Sequence, residues 1–201
     1  MRLYFAPGAC SLSPHIVSRE LGLPIELKKV STKDKTMEGG GDYRQINPKG
    51  YVPALELDDG AVLTEGPAIV QYLADRKPDA GLAPKAGTIE RYRLQEWLNF
   101  ITSELHKQFS PLFRPTTPEE YKKIAKENLA NRFEWLDKQL GGKEFLMGNG
   151  FSVADAYLYT VLRWTKPMQI DVSRWPNLVA YMERVGARPK VKDALKAEGL
   201  Q

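Results

Sequence analysis

The feature that most constrains this chain is a change of texture near its middle. Residues 77–87, from Lys77 to Gly87, are rich in Pro, Gly, Ala and Lys, and the patterns on either side differ in kind. Before this segment, short β-prone runs alternate with helical segments; after it, every apolar stripe has helical spacing. The chain therefore reads as an α/β domain over residues 1–76, a linker over 77–87 and an all-helical domain over 88–201.

In the first domain, Arg2 to Phe5 is a strand, the turn Ala6-Pro7-Gly8-Ala9 breaks it, and Leu12 to Leu21 is an amphipathic helix closed by Gly22 and Pro24. Ile25 to Val30 reads as a second strand, followed by the loop Gly39-Gly40-Gly41. Val52 to Leu57 and Ala61 to Leu63 form a hairpin about Asp58-Asp59-Gly60, and a helix from Glu65 to Ala74 closes a βαβ-ββα unit. In the second domain Leu94, Trp97, Leu98, Ile101 and Leu105 fall on one helical stripe. Glu119–Leu140, Val153–Lys166, Trp175–Val185 and Val191–Ala197 repeat that pattern. Phe151-Ser152-Val153-Ala154-Asp155 offers a capping box, which gives Asp155 a folding role, at the start of a helix apolar enough to be the centre of the bundle.

Composition removes several function classes. The 201 residues are 42% hydrophobic and 27% charged, enough for a sizeable core. No run approaches the roughly 18 apolar residues of a membrane span, and MRLYFAPGAC lacks the apolar region of a signal peptide, so a cytoplasmic protein is expected. The net charge of +4 is spread among acids, with no basic stripe, which argues against nucleic acid as a partner. One cysteine can neither close an internal disulfide nor assemble a thiolate metal site, so no metal is expected. Cys10 is then either a small buried hydrophobe or chemistry. Its place at the mouth of the first helix favours chemistry, because unpaired N–H groups and the helix dipole there lower a thiol's pKa below its usual value of about 8.5.

Three other positions carry candidate chemistry. At Val52-Pro53 the proline belongs to a strand start; with a cis bond, the main chain of Val52 is left free to pair with a peptide-like ligand, and the plain strand-start reading stays open beside it. Glu65-Gly66-Pro67 opens a helix, where N–H groups suit a carboxylate and the Glu65 side chain suits an ammonium or simply the helix dipole. Asn99, Ser103, His106 and Ser110 share one polar helical face beside Lys107. His15 reads as a packing histidine.

Tyr4 to Cys10, Asn47-Pro48-Lys49-Gly50-Tyr51-Val52-Pro53-Ala54-Leu55, Thr64-Glu65-Gly66-Pro67-Ala68-Ile69 and Phe151-Ser152-Val153-Ala154-Asp155-Ala156 together resemble the cytosolic glutathione S-transferases from end to end. Pro7-Gly8-Ala9-Cys10-Ser11 and Glu104-Leu105-His106-Lys107 narrow the resemblance to the bacterial beta class. It implies a thioredoxin-like N-terminal domain and conjugation of glutathione, the co-substrate, to an electrophilic small molecule in detoxification. It further implies that Val52, before cis Pro53, pairs with the cysteinyl backbone of glutathione, that Glu65 and Gly66 hold its γ-glutamyl end and that Lys35 meets its glycyl end. Asn99, Ser103, Glu104, His106 and Lys107 correspond to the helical side of the site, with Asn99 reaching the glutathione of the other subunit of a homodimer. Cys10, Ser11 and His106 are the candidates for the thiolate's neighbourhood. Where many classes carry a Ser after this Glu, Gly66 offers only a backbone donor. A thiol transferase or reductive dehalogenase that forms a mixed disulfide at Cys10, and a non-catalytic binding protein of the same fold, are the alternatives. Phe109, Phe113 and Trp164 are candidates for a second pocket or for core packing.

Overall fold

The computed structural model describes residues 1–148 and 150–200. Leu3, Tyr4 and Phe5 form a buried run, and the strand that contains them, β1 (Arg2–Phe5), lies inside a four-stranded sheet of order β2-β1-β3-β4. Strand β2 (Glu26–Lys29) pairs parallel with β1, whereas β3 (Ala54–Glu56) pairs antiparallel, so Leu3 faces Leu27 on one side and Leu55 on the other. The expected hairpin joins β3 to β4 (Val62–Thr64). Its turn is closed by the Leu57 N–H on the Ala61 carbonyl at 2.8 Å, and Gly60 takes a φ of 85° that a side chain would strain. The strands are shorter than their apolar runs because the ladder ends where the chain turns toward the loops.

The parallel β1–β2 pair needs a crossover, supplied by α1 (Leu12–Glu20), which buries Leu12, Ile16 and Val17. Helix α2 (Gly66–Asp75) packs on α1 and buries Ile69, Val70 and Leu73. The C-terminal helix α8 (Pro189–Ala197) also packs on α1, burying Val191, Ala194 and Leu195. Arg188 adds a two-pronged pair with Glu20, at 2.7 and 2.9 Å. This corrects the expected division of the chain. One compact unit comprises Met1–Ala83 and Ala187–Gln201, the other Pro84–Gly186, so the last segment belongs to the sheet-containing unit rather than to a helical domain running from 88 to 201. The apolar stripe of α8 was legible; its partner was not.

In the second unit, Thr88 caps α3 (Ile89–Phe100) by accepting from the Arg91 N–H. Helix α3 continues into a π-helical stretch, Ile101–His106, and then into α4 (Lys107–Phe113). Helices α5 (Glu119–Leu140), α6 (Val153–Leu162) and α7 (Pro176–Gly186) complete the unit. Every residue of α6 is buried, as its composition predicts, and its end tightens into a 3₁₀ turn at Arg163–Thr165. The capping box forms. Asp155 accepts from the N–H and hydroxyl of Ser152 at 2.8 and 2.7 Å, from the Leu146 N–H at 2.9 Å and from the Tyr181 hydroxyl at 3.0 Å. Helices α6 and α7 approach closely at Gly186, where an added Cβ would stand 2.9 Å from the Tyr159 hydroxyl. Among the described residues, no helix is long and apolar enough to cross a membrane.

Candidate active site

In the sheet-containing unit, β1 delivers the turn at Pro7–Ala9, and Cys10 follows it two residues before α1 begins. The turn is fastened twice. The Ser11 hydroxyl accepts from the Ala6 N–H at 3.1 Å and donates to the Ala6 carbonyl at 3.2 Å. On the other side the Gly8 N–H donates to Glu198 at 2.9 Å, and the second oxygen of that carboxylate pairs with His15 Nδ1 at 2.8 Å. His15 is thus the satisfied packing histidine expected. Ser11, expected among the catalytic candidates, is fully buried, and its hydroxyl serves the turn instead.

Cys10 Sγ donates to the carbonyl of Val52 at 3.2 Å. Burial pushes the thiol up to about 12; the N–H groups of Cys10 and Ser11 oppose this rise, and the charge of Glu65 adds to it. The expected lowered thiol pKa is therefore corrected: the helix N-terminus acts in the anticipated direction, and desolvation outweighs it. Cys10 is a neutral hydrogen-bond donor.

The Val52–Pro53 peptide is cis. The preceding carbonyl, that of Tyr51, accepts from the Tyr43 hydroxyl at 2.9 Å and from the Asn47 amide at 2.7 Å. Tyr43 is fully buried, in a cluster with Tyr4, Val30 and Ala54, so the Val52 segment rests on a fixed base. Sequence reading named no role for Tyr43.

Glu65 has a φ of 71° and Lys35 a φ of 59°, two of the three non-glycine residues with positive φ among those described. Such conformations persist where surroundings enforce them and recur at functional sites. Glu65 caps the start of α2, and its exposed carboxylate pairs with Lys49, whose ammonium also donates to the Thr64 hydroxyl at 2.9 Å. The Lys35 ammonium lies 5.5 Å from the centre of the Tyr51 ring. Gly66 is buried beside Pro53 and contributes no side chain, as expected. No spacing in the sequence marks the pairing of Lys49 with Glu65.

In the helical unit the expected polar face does not run straight. The π-helical stretch adds a residue to the turn, so His106 leaves the line of Asn99 and Ser103. Asn99, Ser103 and Lys107 are exposed. Glu104 pairs with Arg132 at 2.7 Å. His106 instead packs inward, with Nδ1 2.6 Å from the hydroxyl of Tyr157 and its ring edge-on to Trp164 at 4.8 Å. Phe109 and Phe113 pack on the same indole. Among the described residues no group of histidine, cysteine, aspartate or glutamate side chains could hold a metal ion.

A thioredoxin-like sheet carrying a thiol at the head of its first helix and a cis-proline strand entry beside that thiol, with a helical second unit, is a fold whose site is suited to thiol chemistry. Comparison with known proteins narrows this. The family model for the glutathione S-transferase N-terminal domain matches residues 8–76, and that for the C-terminal domain matches residues 100–189. The chain is 48% identical over the full length of both chains to glutathione S-transferase GstA of Escherichia coli O157:H7. It superposes with a TM-score of 0.98 on BphK, a bacterial glutathione S-transferase solved as a ternary complex, at 54% identity and full coverage of both chains. The bacterial beta-class enzyme of Sphingomonas chungbukensis gives a TM-score of 0.97 at 51% identity, again over both full chains. The chain belongs to the glutathione S-transferase family, and within it to the bacterial beta class.

Proposed function

We propose that this glutathione S-transferase binds glutathione along Val52, Glu65 and Gly66 and keeps Cys10 as a neutral neighbour of the substrate sulfur. The observation that carries this reading is the bond from Cys10 Sγ to the Val52 carbonyl, since it joins the thiol to the segment able to pair with a peptide. A sphingomonad glutathione S-transferase, 49% identical to this chain, has been solved with glutathione bound. The nucleophile is the thiolate of glutathione; its proton leaves to solvent, its sulfur forms a bond to an electrophilic carbon, and the leaving group departs with the electrons of the broken bond. A second thiolate at Cys10 would repel the first, so a protonated Cys10 suits this chemistry, and it disfavours a mechanism in which Cys10 itself attacks a disulfide. The γ-glutamyl ammonium exchanges with Lys49 on Glu65, an exposed pair that gives way readily. Lys35 faces the glycyl carboxylate. On the helical unit, Asn99, Ser103, Glu104, His106 and Lys107 remain the candidates for glutathione contact, and Asn99 acts across a homodimer.

Glu65→Gln tests the site. It keeps the shape of the residue at its positive φ and removes the charge, so calorimetry should show the Kd for glutathione raised about tenfold or more, with the unfolding midpoint nearly unchanged. Equal affinity in the two proteins removes Glu65 from the site.

A further inference from the structure

The π-helical stretch Ile101–His106 is held by its own hydroxyls. Thr102 donates to the Leu98 carbonyl at 2.8 Å and Ser103 to the Asn99 carbonyl at 3.1 Å, each four residues back, along the carbonyl row that the widened turn disturbs. The result is a fixed place for His106 at the end of the stretch. Its ring is held edge-on to Trp164 and also edge-on to Tyr157, and α6 supplies the Tyr157 hydroxyl at 2.6 Å from Nδ1. Tyr157 is 2% exposed, so this contact is made away from bulk water.

A hydrogen bond this short between a phenol and an imidazole has a preferred direction. The phenol is the better donor of the two, and the bare nitrogen of a neutral imidazole is a better acceptor than a phenolic oxygen. Thr102 lies 3.4 Å from the same Tyr157 oxygen, but its single hydrogen is already given to Leu98 at the shorter distance. The strong contact left at Nδ1 is therefore O–H to N.

We propose that Tyr157 is a positioning residue that donates its hydrogen to Nδ1 of His106 and so fixes the neutral ring with its own hydrogen on Nε2. A histidine held in this form is a one-directional donor, able to hydrogen-bond a developing thiolate without first choosing a tautomer. The catalytic consequence rests on the reading of His106 as part of the glutathione site; the tautomer does not.

The chain has two histidines, so side-chain nitrogen spectra can be assigned with a single variant, His106→Gln. In the wild type near neutral pH, the Nδ1 of His106 should resonate as an unprotonated, pyridine-type nitrogen and Nε2 as a protonated, pyrrole-type one. Tyr157→Phe, which keeps the ring and its packing, should move both signals toward values averaged over the two tautomers. It should also lower kcat about tenfold while leaving KM for glutathione within about twofold. A protonated Nδ1 in the wild type overturns the proposal even if the variant fails to fold, and so do unchanged ring signals in a folded variant. Shifted signals with an unchanged kcat support the tautomer assignment and remove His106 from the reaction instead.

Discussion

Cys10 stands where a helix N-terminus favours negative charge, yet its thiol is pushed up to about 12, because burial acts on the whole charge and the few N–H groups compensate only part of it. The sign for stability follows. From the ordinary value of 9.0 up to about 12, the unfolded chain has lost the thiol proton and the folded chain keeps it, so this group destabilises the fold progressively as pH rises through that window and leaves it untouched below. For reactivity, iodoacetamide at pH 7.5 should modify Cys10 at least about tenfold more slowly than free cysteine, each pKa unit being a tenfold change in thiolate. A rate equal to or above that of the free thiol would show that the thiolate is favoured after all. The position of Cys10 was legible in the strand, turn and helix around it. Its protonation was not, because it is set by desolvation in the folded chain and by the charge of Glu65, a residue of a different element. Ser11 differs: its partner Ala6 lies only five residues away, but the turn they close is one that no spacing rule marks.

At the scale of elements, most boundaries could be read from apolar period and from capping residues. Helix α5 runs from Glu119 to Leu140 as its pattern predicts. The π-helical stretch escaped because its sequence, Ile-Thr-Ser-Glu-Leu-His, still carries an apolar stripe, and one extra residue per turn leaves no mark in composition. It is this element that separates His106 from Asn99. The start of α6 illustrates the opposite case, a local motif whose whole network is larger than the motif. Asp155→Ala should leave the N–H groups of Ser152 and Leu146 and the Ser152 hydroxyl without their carboxylate acceptor at once, while the Tyr181 hydroxyl keeps the Asp155 main-chain carbonyl at 3.3 Å. At about 1–3 kcal/mol for each buried unpaired group, the loss should reach about 4 kcal/mol and lower the unfolding midpoint by about 10 °C in calorimetry. A midpoint within about 3 °C of the wild type would mean that the network relaxes around the missing carboxylate.

On the scale of the whole molecule, the helical unit carries an aromatic cluster that a folded monomer leaves partly in water. Trp97, Phe100 and Trp135 lie with ring centres 4.7 to 6.0 Å apart, and Trp135 is 42% exposed. Aromatic anchors of this kind are enriched at interfaces, which supports the proposed homodimer. Trp135→Glu should shift the sedimentation equilibrium of a micromolar sample from dimer toward monomer; a variant that stays as dimeric as the wild type would place the interface elsewhere. The C-terminal residues carry a consequence of another kind. Glu198 holds Gly8, and α8 covers α1, so a unit begun by the first 83 residues is finished by residues from 187 onward. On the ribosome, at about 5–20 residues per second, the 190 residues between Gly8 and Glu198 place a delay of roughly 10–40 s between the emergence of the cysteine-bearing turn and the arrival of the carboxylate that fastens it. The helical unit, contiguous in the chain, is free to fold during that wait, so the half of the protein made first is the half completed last.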